Sequence, residues 1–277
     1  MMNPDLSAIA EAFSRKAQVY DEFGMGHENL ERMRNKVRLH ALSFLKPGDR
    51  ILELNAGTGA DAVFFARLGF PVHATDLSPG MVLQIEEKLS SHGLQGKLTA
   101  QWASFFELDS LTTGPFQYIF SNMGGVNCAH DLRRITKFLP GRLLPGGFVT
   151  WVVMPPVCLW ELTLVLRGEF KTATRRLSRL GVLSNVEGIQ FMTYYYTPRQ
   201  VIQAFGKSFR PVRLQGLSVF TPPADHKGFP AKHPCLYRFL RSIDNLLADT
   251  PPFNRWGDFF ILTMQYQPVS DKAGIRI

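Results

Sequence analysis

Residues 51–81 read ILELNAGTGADAVFFARLGFPVHATDLSPGM, and this stretch decides the fold. Its first part belongs to a short, mainly apolar run, Arg50–Leu54, that is typical of a buried strand. A turn rich in glycine follows, and then residues 60–68 have the length and apolar spacing of a helix. A second apolar run ends at Asp76. Strand, helix and strand in this order form a βαβ unit, so the pattern predicts a parallel sheet.

The turn between the first strand and the helix suits a nucleoside-containing ligand. Gly57 and Gly59 let the backbone turn sharply and let a ligand approach where other residues carry a Cβ atom. The N–H groups at the start of the helix then face that ligand. Asp76 follows about 20 residues later, where one carboxylate can accept hydrogen bonds from both ribose hydroxyls. The turn alone does not choose the cofactor, because Gly57–Ala62 also fits the dinucleotide fingerprint.

The rest of the chain extends the alternation of strands and helices. Residues 3–45 predict helices, of which one spans 29–45. Further strands are predicted at 98–103, 116–121, 148–154, 209–220 and 259–265, with helices at 79–91, at 131–139 and from residue 198 onward. Strands that alternate with helices predict an α/β fold with seven strands, mostly parallel.

Three regions follow from this pattern. They are a core with N-terminal helices at 1–154, a helical cap at 155–197, and residues 198–277, which complete the sheet and carry an insertion at 221–257. Apolar residues between Leu159 and Leu180 recur at helical spacing, so we expect a helix covering the acceptor pocket. On its edge, Lys171, Arg175 and Arg179 form a basic row. We expect this row to face solvent, an acidic substituent or a membrane surface.

Four motifs, in the right order, resemble the class I S-adenosylmethionine-dependent methyltransferases. They are Glu53–Gly59, Val72–Met81, Phe116–Asn122 and Leu144–Phe148. Glu53 favours this cofactor over a dinucleotide, because its carboxylate attracts the methionyl ammonium and would repel a pyrophosphate. The resemblance implies the Rossmann-like class I methyltransferase fold: a seven-stranded, mostly parallel sheet with helices on both faces and helical cap insertions. It also implies S-adenosyl-L-methionine as the cofactor.

The resemblance further implies a set of cofactor-binding residues. They are Tyr20, Glu53, Asn55, Ala56, Gly57, Gly59, Asp76, Leu77, Met81, Ser104, Phe105, Asn122 and Met123. Within this set, Gly57 and Gly59 contact the methionyl part, Asp76 holds the ribose and Met81 packs near the adenine. Tyr20 lies in an N-terminal segment that folds over the cofactor, or is a core aromatic of an amphipathic helix.

Two positions depart from the family pattern. Asn55 stands where glycine is usual, and its tolerance of left-handed backbone allows the turn to form. Its side chain is also long enough to reach the cofactor. Ser104 stands after the third strand, where an acidic residue is usual.

The implied reaction is methyl transfer to a small, largely hydrophobic acceptor by in-line displacement. Alignment of the acceptor and exclusion of water are the main tasks. A general base is needed only if the acceptor must lose a proton. His130 and Asp131 are weak candidates, and His130 fits the role of a helix cap better. The catalytic residues otherwise stay unassigned. Residues 121–125 do not form a base-methylating motif, so we expect no nucleic-acid substrate.

The composition of the chain limits its possible binding partners and cellular compartment. The 277 residues carry a net charge of +8 without a Lys/Arg block, so peripheral contact with an acidic membrane surface stays open. Three widely spaced cysteines predict neither a disulfide framework nor a metal site. A polar N-terminus and short apolar runs favour a cytoplasmic protein. The oligomeric state is left open. Two alternatives remain: a non-methylating protein that retains the cofactor-binding fold, and a dinucleotide-dependent oxidoreductase.

Overall fold

The computed structural model describes residues 4–268. Its strands are β1 (Ile51–Leu54), β2 (Val72–Asp76), β3 (Leu98–Trp102), β4 (Phe116–Ser121), β5 (Leu143–Val153), β6 (Val182–Val186), β7 (Ile189–Thr193), β8 (Phe209–Leu217) and β9 (Phe259–Tyr266). Its helices are α1 (Pro4–Lys16), α2 (Tyr20–Gly24), α3 (Glu28–Leu42), α4 (Ala60–Arg67), α5 (Pro79–Ser91), α6 (Arg133–Thr136), α7 (Leu139–Arg142), α8 (Leu159–Leu162), α9 (Phe170–Thr174), α10 (Pro198–Phe205), α11 (Phe229–Lys232) and α12 (Pro234–Leu247).

Seven strands form one sheet in the order β3-β2-β1-β4-β5-β9-β8. Neighbours among the first five strands pair in parallel, with Ile51 opposite both Val72 and Tyr118. β9 runs antiparallel to β5 and to β8. The direction of strand succession reverses at β1 and β4, and ligands of open α/β sheets bind at such a point, beyond the carboxyl ends of the strands. The predicted seven-stranded, mostly parallel sheet is confirmed.

Helices cover both faces of the sheet, because successive strand residues point to opposite sides. Ile51 belongs to an apolar cluster with Val37 of α3 and Phe65 of α4. The next residue, Leu52, belongs to a second cluster on the other face, with Val201 of α10. Burial of each such side chain contributes about 1.5–3 kcal/mol, so both layers hold β1 in the centre of the sheet.

Two helix starts carry the side-chain caps that their sequences suggest. The Ser78 hydroxyl accepts a hydrogen bond from the backbone N–H of Met81, 3.2 Å away, and Pro79 occupies the first turn of α5. Thr197 and Gln200 form a reciprocal capping box at the start of α10. These caps fix where the chain leaves each preceding segment and enters the helix.

The cap at 155–197 differs from the expected single helix. Leu159–Leu180 forms only short helical pieces, including α8 and α9, and Gly168 has a φ of +76° that interrupts them. The antiparallel pair β6–β7, which the sequence analysis missed, completes the region. Glu187 and Gly188 both have positive φ at its two-residue turn, as tight hairpin turns require.

The insertion at 221–257 contains α11 and the longer helix α12. It lies beside the cap, because the ring of Phe229 packs 5.2 Å from Trp160 of α8 and 6.5 Å from Tyr237 of α12. The Trp160 indole also donates a hydrogen bond to the Phe220 carbonyl, 2.7 Å away. Within the described residues, no helix is long and apolar enough to cross a membrane.

Candidate active site

A cavity of about 350 Å³ lies at the carboxyl ends of β1, β2 and β4. Of the predicted cofactor-binding residues, those that line it are Tyr20, Glu53, Asn55, Ala56, Gly57, Asp76, Leu77, Met81, Phe105, Asn122 and Met123. The fold therefore brings most of the predicted set to one space. Gly59 and Ser104 are the two that do not line it.

Asp76 is held rigidly at the tip of β2. One carboxylate oxygen accepts a hydrogen bond from the backbone N–H of Gly57 and the other from that of Ser78, each at 2.8 Å. Burial raises the pKa of Asp76 to about 6, although these backbone donors act in the opposite direction. Each carboxylate oxygen keeps acceptor capacity, so the side chain can still receive both hydroxyls of a ribose.

Glu53 is a buried acid with an unused acceptor. Its side chain lies in the cavity wall, yet Oε2 has no hydrogen-bond partner among the described residues. Burial raises the pKa of Glu53 well above its usual value, and the nearby carboxylate of Asp61 raises it further. A buried, unpaired carboxyl group is costly. A cationic group such as the methionyl ammonium would compensate it, so the residues present fit the expected cofactor.

Asn55 takes the left-handed conformation expected at its position, with a φ of +46°. Its side chain, however, is engaged by the end of β4. Ser121 donates a hydrogen bond to the amide oxygen at 2.7 Å, and the amide nitrogen donates to the Asn122 carbonyl at 3.2 Å. The amide therefore connects the turn after β1 to the loop after β4. Its oxygen and its nitrogen are both already engaged by these contacts.

The two glycines of the turn have different surroundings. Gly57 lines the cavity and has a φ of +57°, and a Cβ atom there would meet no atom within 4 Å. Gly59 has a φ of +77°, and a Cβ atom there would come 2.9 Å from Cγ1 of Ile85. The glycine at position 59 is therefore required by the packing of α4 against α5. Its contact with the cofactor stays a prediction.

Ser104 turns away from the cavity. Its hydroxyl accepts a hydrogen bond from the backbone N–H of Phe106 at 3.1 Å, which closes the turn after β3. The neighbouring Ala103 and Phe105 line the cavity instead. The missing carboxylate at position 104 thus leaves an apolar wall in this part of the cavity.

The two weak base candidates lie outside the cavity. The His130 ring packs 5.1 Å from Tyr194. Asp131 pairs with the guanidinium of Arg133 at 2.9 Å and also accepts from the Arg133 backbone N–H. The pair with Arg133 lowers the pKa of Asp131. Asp131 therefore closes the turn before α6, whose start at Leu132 has no side-chain cap, and the helix-capping role expected of His130 is not found.

The roof of the cavity includes part of the expected cap at 155–197, but through a hairpin that the sequence analysis missed and together with residues of α1 that it did not name. It is built by Leu6, Ile9 and Phe13 of α1 and by Ser184, Val186, Phe191 and Thr193 of the β6–β7 hairpin. Phe13 and Phe191 meet at 5.9 Å and join the two elements. The alternating pattern of the hairpin around Glu187–Gly188 was the signal that could have revealed it.

A short segment fixes the N-terminal helices to the glycine turn. The Thr58 hydroxyl donates a hydrogen bond to the Asp21 carboxylate at 2.6 Å. Lys88 of α5 pairs with the same carboxylate and donates to the Thr58 carbonyl at 2.8 Å. These contacts place the adjacent Tyr20 in the cavity wall, where burial raises the pKa of its phenol.

A second chamber of about 250 Å³ adjoins the first. Residues that line both are Tyr20, Arg34, Met123, Met154, Arg175 and Tyr195. The wall on the cap side is held by ion pairs, of which those of Arg176 are buried. Arg176 donates to Glu161 and to Asp258, each at 2.8 Å, and Arg175 donates to Glu161 at 2.7 Å. The cap is thereby fixed to the loop that precedes β9.

Comparisons with known proteins agree with this architecture. Residues 51–147 match the sequence profile of a family described as a methyltransferase domain. The chain is 29% identical over 106 residues to the ribosomal protein L11 methyltransferase of Thermus thermophilus, which is 36% of this chain and 37% of that protein. The chain thus spans about a third of the length of the curated relatives it matches.

Solved structures extend the likeness over almost the whole chain. The 1,6-didemethyltoxoflavin-N1-methyltransferase of Burkholderia thailandensis has a TM-score of 0.59 at 15% identity, covering 96% of this chain and 92% of that one. The [4+2]-cyclase SpnF has a TM-score of 0.59 at 13% identity, covering 94% and 95%. At such identities the likeness shows the fold alone. Fold and cavity define a class I methyltransferase architecture. The profile match adds that residues 51–147 are similar to a methyltransferase domain.

Proposed function

We propose that this protein transfers a methyl group from S-adenosyl-L-methionine to a small, largely apolar acceptor. One observation carries the proposal: Asp76 and the unpartnered Glu53 line the same cavity, and a second chamber opens from it. Asp76 suits the ribose, Glu53 suits the methionyl ammonium, and the adjoining chamber leaves space for an acceptor.

The residues that line the two chambers have different roles in the proposed reaction. When bound, S-adenosylmethionine supplies an electrophilic methyl group. Met81 and Phe105 offer apolar surface to an adenine ring beside Asp76. Met123, Met154 and Tyr195 line both chambers, so they are placed to hold an acceptor against the methyl group and to exclude water.

No histidine among the described residues lines either chamber. Burial raises the pKa values of Tyr20 and Tyr195, which keeps both phenols protonated near neutral pH. Asp61 is engaged by Arg38 at 2.6 Å and by Asn122 at 2.7 Å. We therefore propose an acceptor atom that is nucleophilic without the help of a protein base.

Turnover of cofactor carrying a labelled methyl group, tested against a library of small apolar acceptors, examines the proposal directly. We expect label in an organic-soluble product, and loss of that label in Asp76→Ala. Binding of the cofactor without turnover of any acceptor would favour a non-methylating role for the same fold. Binding of a nicotinamide cofactor in calorimetry would instead favour the oxidoreductase alternative.

A further inference from the structure

The helix α12 attaches to the body of the protein in part through polar groups. The Tyr237 hydroxyl donates to the Asn29 amide oxygen at 3.1 Å. The buried Asp244 carboxylate accepts hydrogen bonds from the backbone N–H groups of Val219 and Phe220, at 3.1 and 2.8 Å. A surface helix ordinarily buries its apolar stripe against the core. Here Leu240 and Leu247 are only half-buried, and the buried polar groups of Tyr237 and Asp244 contribute to the attachment.

Three large apolar side chains of α12 are nevertheless exposed to solvent. Phe239 is 61% exposed and Leu246 is 76% exposed, and these residues lie two helical turns apart on one side of the helix. Leu236, in the first turn, is also exposed. Exposure of large apolar side chains that align along a helix marks an interaction surface rather than scattered surface residues.

The cap presents a second surface of the same character. Leu166 is 89% exposed and Leu180 is 84% exposed, and Phe170 lies exposed between them in the chain. The cap and α12 are neighbours, because the Phe229 ring contacts an aromatic ring of each. We call the outer sides of α12 and the cap, with Leu166, Leu180, Phe239 and Leu246, the docking surface.

The charges around the docking surface are mainly basic. Arg167, Lys171 and Arg179 of the cap are exposed and form no ion pair with the described residues. On α12, Arg238 and Arg241 are exposed, Arg241 beside Glu28 at 3.8 Å, whereas its one acidic residue, Asp244, is buried. Exposed apolar side chains flanked by Lys and Arg are typical of elements that lie in the interface of an anionic bilayer.

From this arrangement we propose that the docking surface binds peripherally to anionic lipid membranes. Phe239 and Leu246, with Leu166 and Leu180, would enter the boundary between headgroups and acyl chains. Lys171 and the neighbouring arginines would contact lipid phosphates. A second copy of the chain is a poorer occupant, because it would bring the basic groups of two identical surfaces together. The proposal does not depend on the proposed methyl transfer.

Flotation with lipid vesicles tests the proposal on the full chain. We expect binding to vesicles of phosphatidylglycerol and phosphatidylcholine, and little binding to phosphatidylcholine alone. The double variant Phe239→Ser and Leu246→Ser should lower the partition coefficient by roughly tenfold or more, because two apolar side chains no longer enter the bilayer. The variant Lys171→Glu and Arg179→Glu should weaken binding, and added salt should weaken binding of the unaltered protein.

A matched control replaces an exposed leucine outside the docking surface. Leu83 of α5 is 58% exposed, and Leu83→Ser should bind vesicles as the unaltered protein does. Cofactor affinity measured on every variant verifies that each is folded. Equal vesicle binding by all variants, or binding that ignores salt, would overturn the proposal. So would a concentration-dependent dimer that is lost in Phe239→Ser and Leu246→Ser without any binding to anionic vesicles.

Discussion

Replacement of Asp76 by alanine tests the predicted cofactor site most directly. In the proposed complex, its carboxylate accepts two ribose hydroxyls. Hydrogen bonds to a charged group contribute about 1.5–3 kcal/mol each. Water that enters the space left by the side chain serves the hydroxyls in part, so the net loss is smaller than the sum. We expect at least about a tenfold loss of S-adenosylmethionine affinity, which corresponds to 1.4 kcal/mol.

Asp76→Ala also removes the acceptors of the Gly57 and Ser78 N–H groups. Asp76→Asn separates these effects, because it keeps the shape and one acceptor oxygen while removing the charge. Titration calorimetry measures the affinity, and circular dichroism verifies the fold. If both variants bind the cofactor as the unaltered protein does, the assignment of the ribose site to Asp76 is wrong.

The raised pKa of Asp76 adds a dependence on pH. Because the pKa is about 6 in the ligand-free protein, cofactor affinity should fall as pH decreases below 6. The carboxyl group has opposite consequences for ligand-free stability. Its folded pKa lies above the usual 3.8, so its stabilising effect is complete below pH 3.8 and is lost as pH rises through 6. Asp76→Asn should flatten both profiles, and unchanged profiles in that variant would contradict the role given to burial.

Three further outcomes are expected. Gly57→Val should abolish cofactor binding in calorimetry, because its side chain would enter the cavity and its φ of +57° disfavours a β-branched residue; retained binding with a normal circular dichroism spectrum would contradict the turn's role. Glu161→Ala should lower the free energy of unfolding in urea by about 1–3 kcal/mol, because it removes one of the two carboxylate partners of the buried Arg176, which keeps Asp258. Glu169→Ala, at an exposed cap position, should change that energy by less than about 0.5 kcal/mol, and equal effects of the two substitutions would show that the ion cluster does not hold the cap.

The sequence predicted the central sheet well, because its signals are local. Ile51–Leu54 and Phe116–Ser121 are short apolar runs bounded by turn residues, and Ser78 and Thr197 carry their own caps. The residues at the floor of the cavity were predicted for a similar reason. Parallel strands end at one edge of a sheet, so residues placed at strand ends meet there.

The cap was predicted less well, because its apolar spacing fits one long amphipathic helix as well as several short helical pieces. The stripe between Leu159 and Leu180 indicated one amphipathic helix, but Gly168 and the tertiary ion pairs of Arg176 divide it into short pieces. Several leucines of the stripe point to solvent and not to the core. Periodicity indicates that residues share a face of a helix, but it does not indicate what that face contacts.

Arg175 shows the same limit for charge. Its i+4 spacing with Lys171 and Arg179 suggested one exposed basic row. In the structure its guanidinium instead pairs with Glu161, which is distant in sequence, and it lines both chambers. Spacing along a helix cannot reveal a partner that the tertiary fold supplies.

Asn55 and Gly125 show how one departure from a family pattern is tied to another position. A Cβ atom at Gly125 would lie 2.1 Å from the Asn55 amide nitrogen, so the asparagine is accommodated because its neighbour has no side chain. The amide in turn holds Ser121 and the Asn122 carbonyl. The turn after β1 and the loop after β4 therefore act as one unit. Substitution of Gly125 would force the Asn55 side chain to move, and because both residues line the cavity it would alter the space available to the ligand.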